Sequence, residues 1–396
     1  MTADAPPDRP RFGVIGTGLM AASMMRTFAR AGIPVVAVAS RDGARARRFG
    51  KAFAVPDADG TLDRLLERRD VEAVYIANAT VDHEATALAA LEAGKAVLCE
   101  KPLALDAAGA ARVAAAARRA NRLCMEGLWT LFLPGHLRFL SLAEAGACGV
   151  PGHLCAEFGS AESATDRLLE PAAGGVLLDR SGYLLALALK ALGPVERIDA
   201  QVALSPAGID HHACLQLGHR AGGHSQLALS FKVQLANRAR LSGPAGSLEL
   251  GDRLPAAEWL ALRRAGLPRT VRMEAASDPR GRLAGRLRTV PLLRRLHRSL
   301  PSGATEHLTY GPDPYLPEVR HFLHLLRTGA GESDVVPLAL SLDILRIIDR
   351  ARAVARSRTP PFEGRSRENR LPDELLPDDE HHVHPAGDRG ARTARA

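Results

Sequence analysis

Short apolar runs alternate with amphipathic segments along the first third of the chain. The runs predict buried strands at 12–15, 35–39, 73–77, 97–100 and 123–126. The segments between them place apolar residues on one face and predict helices at 19–31, 44–49, 62–68, 82–93 and 106–120. Regular alternation of this kind predicts a parallel, doubly wound sheet with helices on both faces.

The middle of the chain has a different pattern. Strand-like runs occur at 151–158, 195–204, 213–217, 226–233 and 238–241, and 220–223 reads as a hairpin turn. Before most of them comes a segment at 175–192 that is nearly all Leu and Ala, which predicts one buried helix. A second α/β unit therefore follows the first.

Beyond residue 250 the pattern changes to positive charge. Residues 263–298 contain eleven arginines against Glu274 and Asp278, a formal charge of +9, while the whole chain carries +8. Residues 291–300 place leucines on one helical face and arginines on another, which suits either a helix that covers its own domain or contact with a membrane surface or an acidic partner. Because the basicity is confined to this segment, we expect no nucleic acid. Residues 363–396 are polar and Pro-rich, and we expect them to be disordered.

Length and composition limit the class of protein. The 396 residues predict two domains. The first residues have neither a basic region nor an apolar core, so we expect no signal peptide, and no apolar run approaches the roughly 20 residues of a membrane span. The five cysteines lack a Cys-x-x-Cys pair, which favours a reduced, cytoplasmic protein. The histidines lack the spacing of a metal site, so we expect no metal.

A glycine-rich turn joins the first predicted strand to the first helix. It reads Gly16, Thr17, Gly18, Leu19, Met20, Ala21, an accepted form of the dinucleotide fingerprint. Gly16 permits the tight turn, Gly18 lets the backbone approach a pyrophosphate, and the helix N-terminus points at the phosphates. A glycine turn without a ligand is the alternative, but its place between strand and helix favours cofactor binding.

The second strand ends in Ser40 and Arg41, where an NAD site usually has an acid. Asp42 is better suited to cap the next helix. Arg41 suits a 2′-phosphate by charge and by stacking on adenine, so we predict NADP, with NAD as the lesser candidate. The alternative is that Arg41 is one of many solvated arginines. Asn78 and Ala79 follow their own strand and belong to the same ligand edge.

Glu100, Lys101 and Pro102 end another buried strand. Charges in such a place are costly unless they are paired or functional. Lys occurs only at 51, 95, 101, 190 and 232 in this Arg-rich chain, so an amine has been kept here. Since an amine is a compact donor with a tunable pKa, we predict a functional role for Lys101 at the ligand edge of the sheet. A surface ion pair is the alternative.

Asp179 and Tyr183 lie four residues apart on the predicted helix 175–192, so they face one side. Two polar groups on an otherwise apolar helix need partners. They form either part of a catalytic site or a satisfied structural pair.

These residues carry a resemblance to the Gfo/Idh/MocA family of oxidoreductases (glucose–fructose oxidoreductase and inositol dehydrogenase). The chain resembles the dihydrodiol dehydrogenase-like branch in particular. The matching stretches lie at 16–21, 73–77, 89–102, 125–130, 174–179, 183, 246–250, 318–322 and 337–353. The combination of Glu-Lys-Pro at 100–102 with Asp179 and Tyr183 is more specific than the glycine turn.

The resemblance implies a Rossmann domain at 10–126 and a C-terminal α/β domain at 127–362. The second domain would have a large, mostly antiparallel sheet and the basic insertion near 263–300. It implies that Lys101, Asp179 and Tyr183 surround the substrate carbonyl, with Trp129 also contacting the substrate. It also implies a homodimer or higher homo-oligomer. The chain departs from the family at Arg180 and Ser181, where the motif normally reads Ile-Gly.

We therefore expect an NADP(H)-dependent oxidoreductase. It would transfer hydride to or from a secondary alcohol or ketone of a sugar-like or cyclic diol substrate. The cofactor would contact Gly16, Thr17, Gly18, Leu19, Met20, Ser40, Arg41, Asn78, Ala79, Glu100, Lys101 and Pro102. The alternative is a non-catalytic nucleotide-binding regulator or scaffold that docks through its Arg-rich segment, and Arg180 and Ser181 are its best support.

Overall fold

The computed structural model describes residues 9–161, 174–251, 253–265 and 303–358. The first of these ranges contains a six-stranded sheet in the order β3-β2-β1-β4-β5-β6, with all neighbours parallel. Its strands are β1 (Phe12–Ile15), β2 (Val35–Ala39), β3 (Asp57–Gly60), β4 (Ala73–Ile76), β5 (Ala96–Glu100) and β6 (Cys124–Gly127). This order reverses direction between β1 and β4, which is where a Rossmann sheet binds its ligand.

Helices join these strands. They are α1 (Leu19–Ala31), α2 (Gly43–Ala52), α3 (Leu62–Glu67), α4 (His83–Glu92) and α5 (Ala107–Ala120). The strands β1, β4 and β5 are fully buried, because helices cover both faces of a parallel sheet. Side-chain caps begin three of the helices, with Asp42, Thr61 and Asp106 accepting bonds from backbone N–H groups.

A larger sheet follows, with eight strands among the described residues in the order β14-β13-β12-β11-β7-β10-β9-β8. Its strands are β7 (His153–Gly159), β8 (Val195–Leu204), β9 (Asp210–His219), β10 (His224–Ser230), β11 (Ala239–Gly243), β12 (Gly246–Gly251), β13 (Trp259–Arg264) and β14 (Gly303–His307). Neighbours are antiparallel except β7 and β10.

Two further helices accompany this sheet: α6 (Pro134–Glu144) comes before β7, and α7 (Gly175–Leu192) comes between β7 and β8. One face of the large sheet packs on α7, and alternate residues such as Leu154, Leu215 and Leu227 point into that layer.

The last described helices, α8 (Leu316–Thr328) and α9 (Leu338–Arg358), return to the first half. Helix α8 packs on α1 and helix α9 on α5. Phe322 of α8 lies edge-on to Phe12 of β1, with ring centroids 6.0 Å apart. None of the described helices is both long and apolar enough to cross a membrane.

The predicted fold class is confirmed: a Rossmann sheet is followed by a large, mostly antiparallel one. Helices α1 and α7 have the predicted bounds. Strand β3 was not predicted, because its sequence Asp-Ala-Asp-Gly has no apolar run. The domain boundaries at 126 and 362 stay predictions. Most of the basic segment 263–300 and the whole tail 363–396 lie outside the described residues.

Candidate active site

The glycine turn after β1 has a shape that only glycine can supply at its first position. Gly16 has a φ of +114°, and a Cβ there would lie 2.3 Å from the carbonyl oxygen of Ala77. A Cβ on Gly18 would meet nothing within 4 Å, so the backbone faces open space at the start of α1. Leu19, the first residue of α1, is 89% exposed. The turn leaves room for a ligand at the helix N-terminus.

A cleft of about 600 Å³ opens at this turn. The cleft contains seven of the predicted cofactor residues, namely Gly16, Thr17, Gly18, Ser40, Arg41, Asn78 and Ala79. The other predicted cofactor residues, namely Leu19, Met20, Glu100, Lys101 and Pro102, do not line it. The cleft adds residues that the sequence analysis did not select, among them Arg45, Thr61 and Leu62.

The far end of the cleft is formed by the segment after β2. Arg41 is 81% exposed, and its guanidinium lies 3.4 Å from the Asp82 carboxylate. Asp42 is engaged elsewhere, because it accepts bonds from the N–H groups of Ala44 and Arg45 at 2.9 and 3.1 Å. The predicted capping role of Asp42 is confirmed.

Asn78 and His83 differ in what they can offer a ligand. The side-chain amide of Asn78 donates to Thr86 at 2.8 Å, and its amide oxygen is buried with no hydrogen-bond partner in the described part of the chain. That oxygen and the open space at Gly18 fit a bound dinucleotide. His83 is buried, with Nδ1 2.8 Å from the carbonyl oxygen of Pro102, and burial lowers its pKa. His83 therefore braces the Lys101–Pro102 turn.

Glu100 is turned into the core. Its carboxylate accepts a 2.5 Å bond from the hydroxyl of Tyr75, which is fully buried. Burial raises the pKa of Glu100. The prediction that Glu100 contacts the cofactor stays a prediction.

Lys101 and Asp179 form a close pair between β5 and α7. The Nζ of Lys101 donates to the Oδ1 of Asp179 at 2.7 Å and to its backbone carbonyl at 2.6 Å. The side chains are only 15% and 23% exposed. Burial is the largest single influence and lowers the pKa of Lys101, but the Asp179 charge, its hydrogen bond and the neighbouring Tyr183 and Glu100 together raise the pKa above its usual value. Lys101 is thus a fixed cation.

Tyr183 lies beside this pair, one helical turn from Asp179. The Nζ of Lys101 is 5.1 Å from the centre of its ring. Burial raises the pKa of Tyr183 to about 12, and the Lys101 charge opposes that rise. The indole N–H of Trp129 donates to the Tyr183 hydroxyl at 3.2 Å. The structure therefore brings together the four predicted substrate residues.

Aromatic rings surround Tyr183. Trp129 and Phe158 each lie edge-on to it with centroids 6.1 Å away, and Tyr315 lies edge-on to Trp129 at 5.2 Å. The sequence analysis missed Phe158 and Tyr315 as site residues. Tyr315 comes from a loop before α8, far along the chain, and no local pattern connects it with Trp129.

Of the two departures from the family motif, Arg180 borders this cluster, because its Nε lies 3.9 Å from the Oδ2 of Asp179. Arg180 is 3% exposed and lies between the rings of Phe158 and Phe231, donating to the carbonyl of Ser230 at 2.5 Å. Ser181 donates to the carbonyl of Leu177 within α7. Ser181 is therefore bonded within the helix, whereas Arg180 adds a second positive charge beside the Asp179 carboxylate.

Two family models match the chain. One describes an oxidoreductase family with an NAD-binding Rossmann fold and matches residues 10–128; the other describes the GFO/IDH/MocA C-terminal domain and matches 136–249.

Among curated proteins, a trans-1,2-dihydrobenzene-1,2-diol dehydrogenase from Bos taurus is 35% identical over 61% of this chain and 74% of its own length. The Mus musculus protein of that name is 30% identical over 86% of this chain and 96% of its own.

Two solved structures share the fold. KijD10, a 3-ketoreductase from Actinomadura kijaniata in complex with NADP and TDP-benzene, has a TM-score of 0.71 at 24% identity, over 87% of this chain and 97% of its own. An aldose-aldose oxidoreductase from Caulobacter crescentus has a TM-score of 0.71 at 22% identity, over 88% and 98%.

These matches run through both halves of the chain and confirm the predicted NAD(P)-dependent oxidoreductase. The chain belongs to the GFO/IDH/MocA family of oxidoreductases.

Proposed function

We propose that the protein transfers hydride between NADP(H) and a secondary alcohol or ketone carbon of a cyclic diol or sugar-like substrate. The observation that carries this proposal is the placement of Lys101, Asp179 and Tyr183 in one cluster, within a fold whose glycine turn opens onto a cleft. The cofactor supplies or accepts the hydride.

The protein groups handle the proton and the charge. Tyr183 gives its hydroxyl proton to the carbonyl oxygen during reduction and takes it back during oxidation. Lys101 holds that oxygen by a hydrogen bond and favours the ionised phenol, because it is a fixed cation beside the ring. Asp179 holds Lys101 through one carboxylate oxygen, and the other oxygen positions substrate hydroxyls.

The walls of the cluster favour a ring-shaped substrate. Trp129 and Phe158 lie edge-on to the Tyr183 ring, and Tyr315 extends this apolar surface beyond Trp129. Such walls suit the flat face of a cyclic diol or a pyranose, while Lys101 and Asp179 suit its hydroxyls. The names of the curated relatives, dehydrogenases of a dihydrobenzene diol, support this choice.

The segment after β2 favours NADP over NAD. Arg41 is exposed beside the cleft, Ser40 offers a hydroxyl, and Arg45 adds a second guanidinium to the lining. Of the two acids in the lining, Asp42 caps α2 and Asp82 lies 3.4 Å from the Arg41 guanidinium. A variant of KijD10 that is 25% identical to this chain was crystallised with NADP.

We also infer a cytoplasmic homodimer or higher homo-oligomer. All five cysteines are free, and burial raises the pKa of Cys99, which favours an inert thiol in a reducing compartment. The face of the large sheet opposite α7 carries Gln201, Gln216 and Gln226 in neighbouring register and is open to a second copy. Light scattering of the purified protein checks the assembly.

The experiment that tests the function follows NADPH and NADH absorbance with a panel of trans-dihydrodiols, cyclic ketones and aldoses. We expect turnover with at least one cyclic diol or sugar, and a higher kcat/KM with the phosphorylated cofactor. Tight NADPH binding with no turnover across the panel would favour the regulator or scaffold. A preference for NADH would remove the role of Arg41.

A further inference from the structure

Asp313 is a buried carboxylate that joins two distant parts of the chain. It is 3% exposed and accepts bonds from the hydroxyl of Thr27 at 2.9 and 3.1 Å and from the guanidinium of Arg30 at 2.8 Å. Both donors belong to α1, the helix that begins at the glycine turn. The third donor is the backbone N–H of Tyr315, at 3.1 Å, and this bond fixes the loop before α8.

Tyr315 carries this attachment into the active site. Its hydroxyl lies 3.9 Å from the sulfur of Met20, in the glycine turn, and its ring packs edge-on against Trp129. Trp129 in turn donates its indole N–H to the Tyr183 hydroxyl. The contacts therefore run without a gap from α1 through Asp313, Tyr315 and Trp129 to Tyr183.

The direction of the last bond matters for the chemistry. Because Trp129 occupies an acceptor position of the Tyr183 oxygen, the phenolic hydrogen must point elsewhere. A donated hydrogen bond also stabilises a phenolate more than a phenol, so loss of the Trp129 bond would raise the pKa of Tyr183 further. A displacement of Trp129 therefore changes the pKa of Tyr183, the proposed proton donor.

We propose that Asp313 is a positioning residue that holds the Trp129–Tyr183 pair in register with helix α1. Only the kinetic consequence of this proposal rests on the proposed function; the structural role of Asp313 does not. A carboxylate suits this position because its two oxygens accept from a hydroxyl, a guanidinium and a backbone N–H at once, whereas an amide has one acceptor oxygen.

The test uses Asp313→Ala and the isosteric Thr27→Val, with Thr27→Ser to restore the hydroxyl. The matched control is Asp343→Ala, which breaks an exposed ion pair with Arg346 on α9. The chain has two tryptophans, so Trp259→Phe in every background leaves Trp129 as the one source of indole emission.

The first measurement is acrylamide quenching of Trp129, which needs neither cofactor nor substrate. We expect a larger quenching constant in Asp313→Ala and Thr27→Val, and parental values in Thr27→Ser and Asp343→Ala. Parental quenching in both Asp313→Ala and Thr27→Val overturns the proposal whatever the activity. If Asp313→Ala fails to fold, Thr27→Val decides alone.

The second measurement is kinetic, on whichever diol or sugar is turned over. Displacement of a reacting group by about 1 Å costs up to roughly a hundredfold, so we expect kcat in Asp313→Ala to fall by about ten- to hundredfold. The pH profile of oxidation should move to higher pH, and NADPH affinity should stay within about twofold. A loss confined to NADPH affinity, with kcat and its pH profile unchanged, overturns the proposal. Absence of any turnover in the parent protein counts against the proposed function and leaves the quenching result to judge Asp313.

Discussion

Lys101 and Arg41 are both cations near the carboxyl edge of one parallel sheet, yet the fold treats them in opposite ways. Lys101 is mostly buried and bonded twice to Asp179, whereas Arg41 is 81% exposed and lies 3.4 Å from the Asp82 carboxylate. Removing one partner from a buried pair is costly, while an exposed pair contributes only about 0–1 kcal/mol. Arg41 can exchange Asp82 for a phosphate at little cost, and Lys101 cannot leave Asp179.

The difference separates chemistry from cofactor retention. Groups that act on the reacting atoms are fixed before the substrate arrives, so little reorganisation is needed in the transition state. Groups that hold a soluble cofactor stay in contact with water, which allows the cofactor to leave after each turnover. The predictions below test whether this division holds.

The largest effect is expected at the buried catalytic residues, Lys101 and Tyr183. Tyr183→Phe and Lys101→Met should each lower turnover by roughly 10²–10⁴, the range for general acid–base groups. Steady-state kinetics with a substrate from the panel measures the loss. NADPH affinity, measured by fluorescence titration, should stay near the parental value because neither side chain lines the cofactor cleft. Parental turnover in either variant would remove that residue from the mechanism.

The pH dependence should be nearly as large. The pKa of Tyr183 is raised to about 12, so the phenol is protonated at neutral pH and its ionised fraction grows about tenfold per pH unit. Oxidation needs a proton acceptor and should accelerate about a hundredfold from pH 7 to 9 where chemistry limits the rate. Reduction uses the protonated form and should stay flat over that range. Stopped-flow rates in both directions check this, and a flat oxidation profile would identify another base.

Arg41→Ala tests the exposed end. A charge-assisted bond to phosphate is worth roughly 1.5–3 kcal/mol, so NADPH binding should weaken by about ten- to a hundredfold. NADH binding should barely change. Arg48→Ala is the control, since this residue is exposed on helix α2, which begins just after Arg41, and does not line the cleft. Equal losses for the two cofactors would contradict a phosphate contact.

Salt concentration should have the smallest effect, and it should change NADPH binding but not the turnover number. Screening at 0.15 M ionic strength already limits exposed charges to about 8 Å, so raising it further should weaken NADPH binding by only a few-fold. The turnover number on a neutral diol should not move, because the Lys101–Asp179 pair is shielded from water. A salt-sensitive turnover number would contradict the separation between buried catalytic groups and exposed cofactor-binding groups.

The features predicted from sequence are those that local pattern determines. Helix α1 has its predicted bounds because a glycine turn precedes it and Gly32, in a left-handed conformation, ends it. The i, i+4 spacing of Asp179 and Tyr183 placed them on one side of α7, and the structure brings both to Lys101.

Long-range contacts could not be predicted in the same way. The bond between Trp129 and Tyr183, the contact of Tyr315 with Trp129 and the bonds to Asp313 each join residues that no periodicity relates. The position of Arg180 could not be predicted either, because only the three-dimensional fold brings the rings of Phe158 and Phe231 to either side of it.

Helices α8 and α9 have a consequence for how the chain is made. Phe322 of α8 completes the aromatic cluster around Phe12, and Asp349 of α9 accepts a bond from the N–H of Ala107 at the start of α5. Domains generally fold in order as they leave the ribosome. Here the Rossmann half is synthesised first. Helices α8 and α9, which cover α1 and α5, are synthesised only after the whole second sheet. A nascent chain stopped before residue 316 therefore exposes apolar surface on its Rossmann half, where chaperones can bind and proteases can cut.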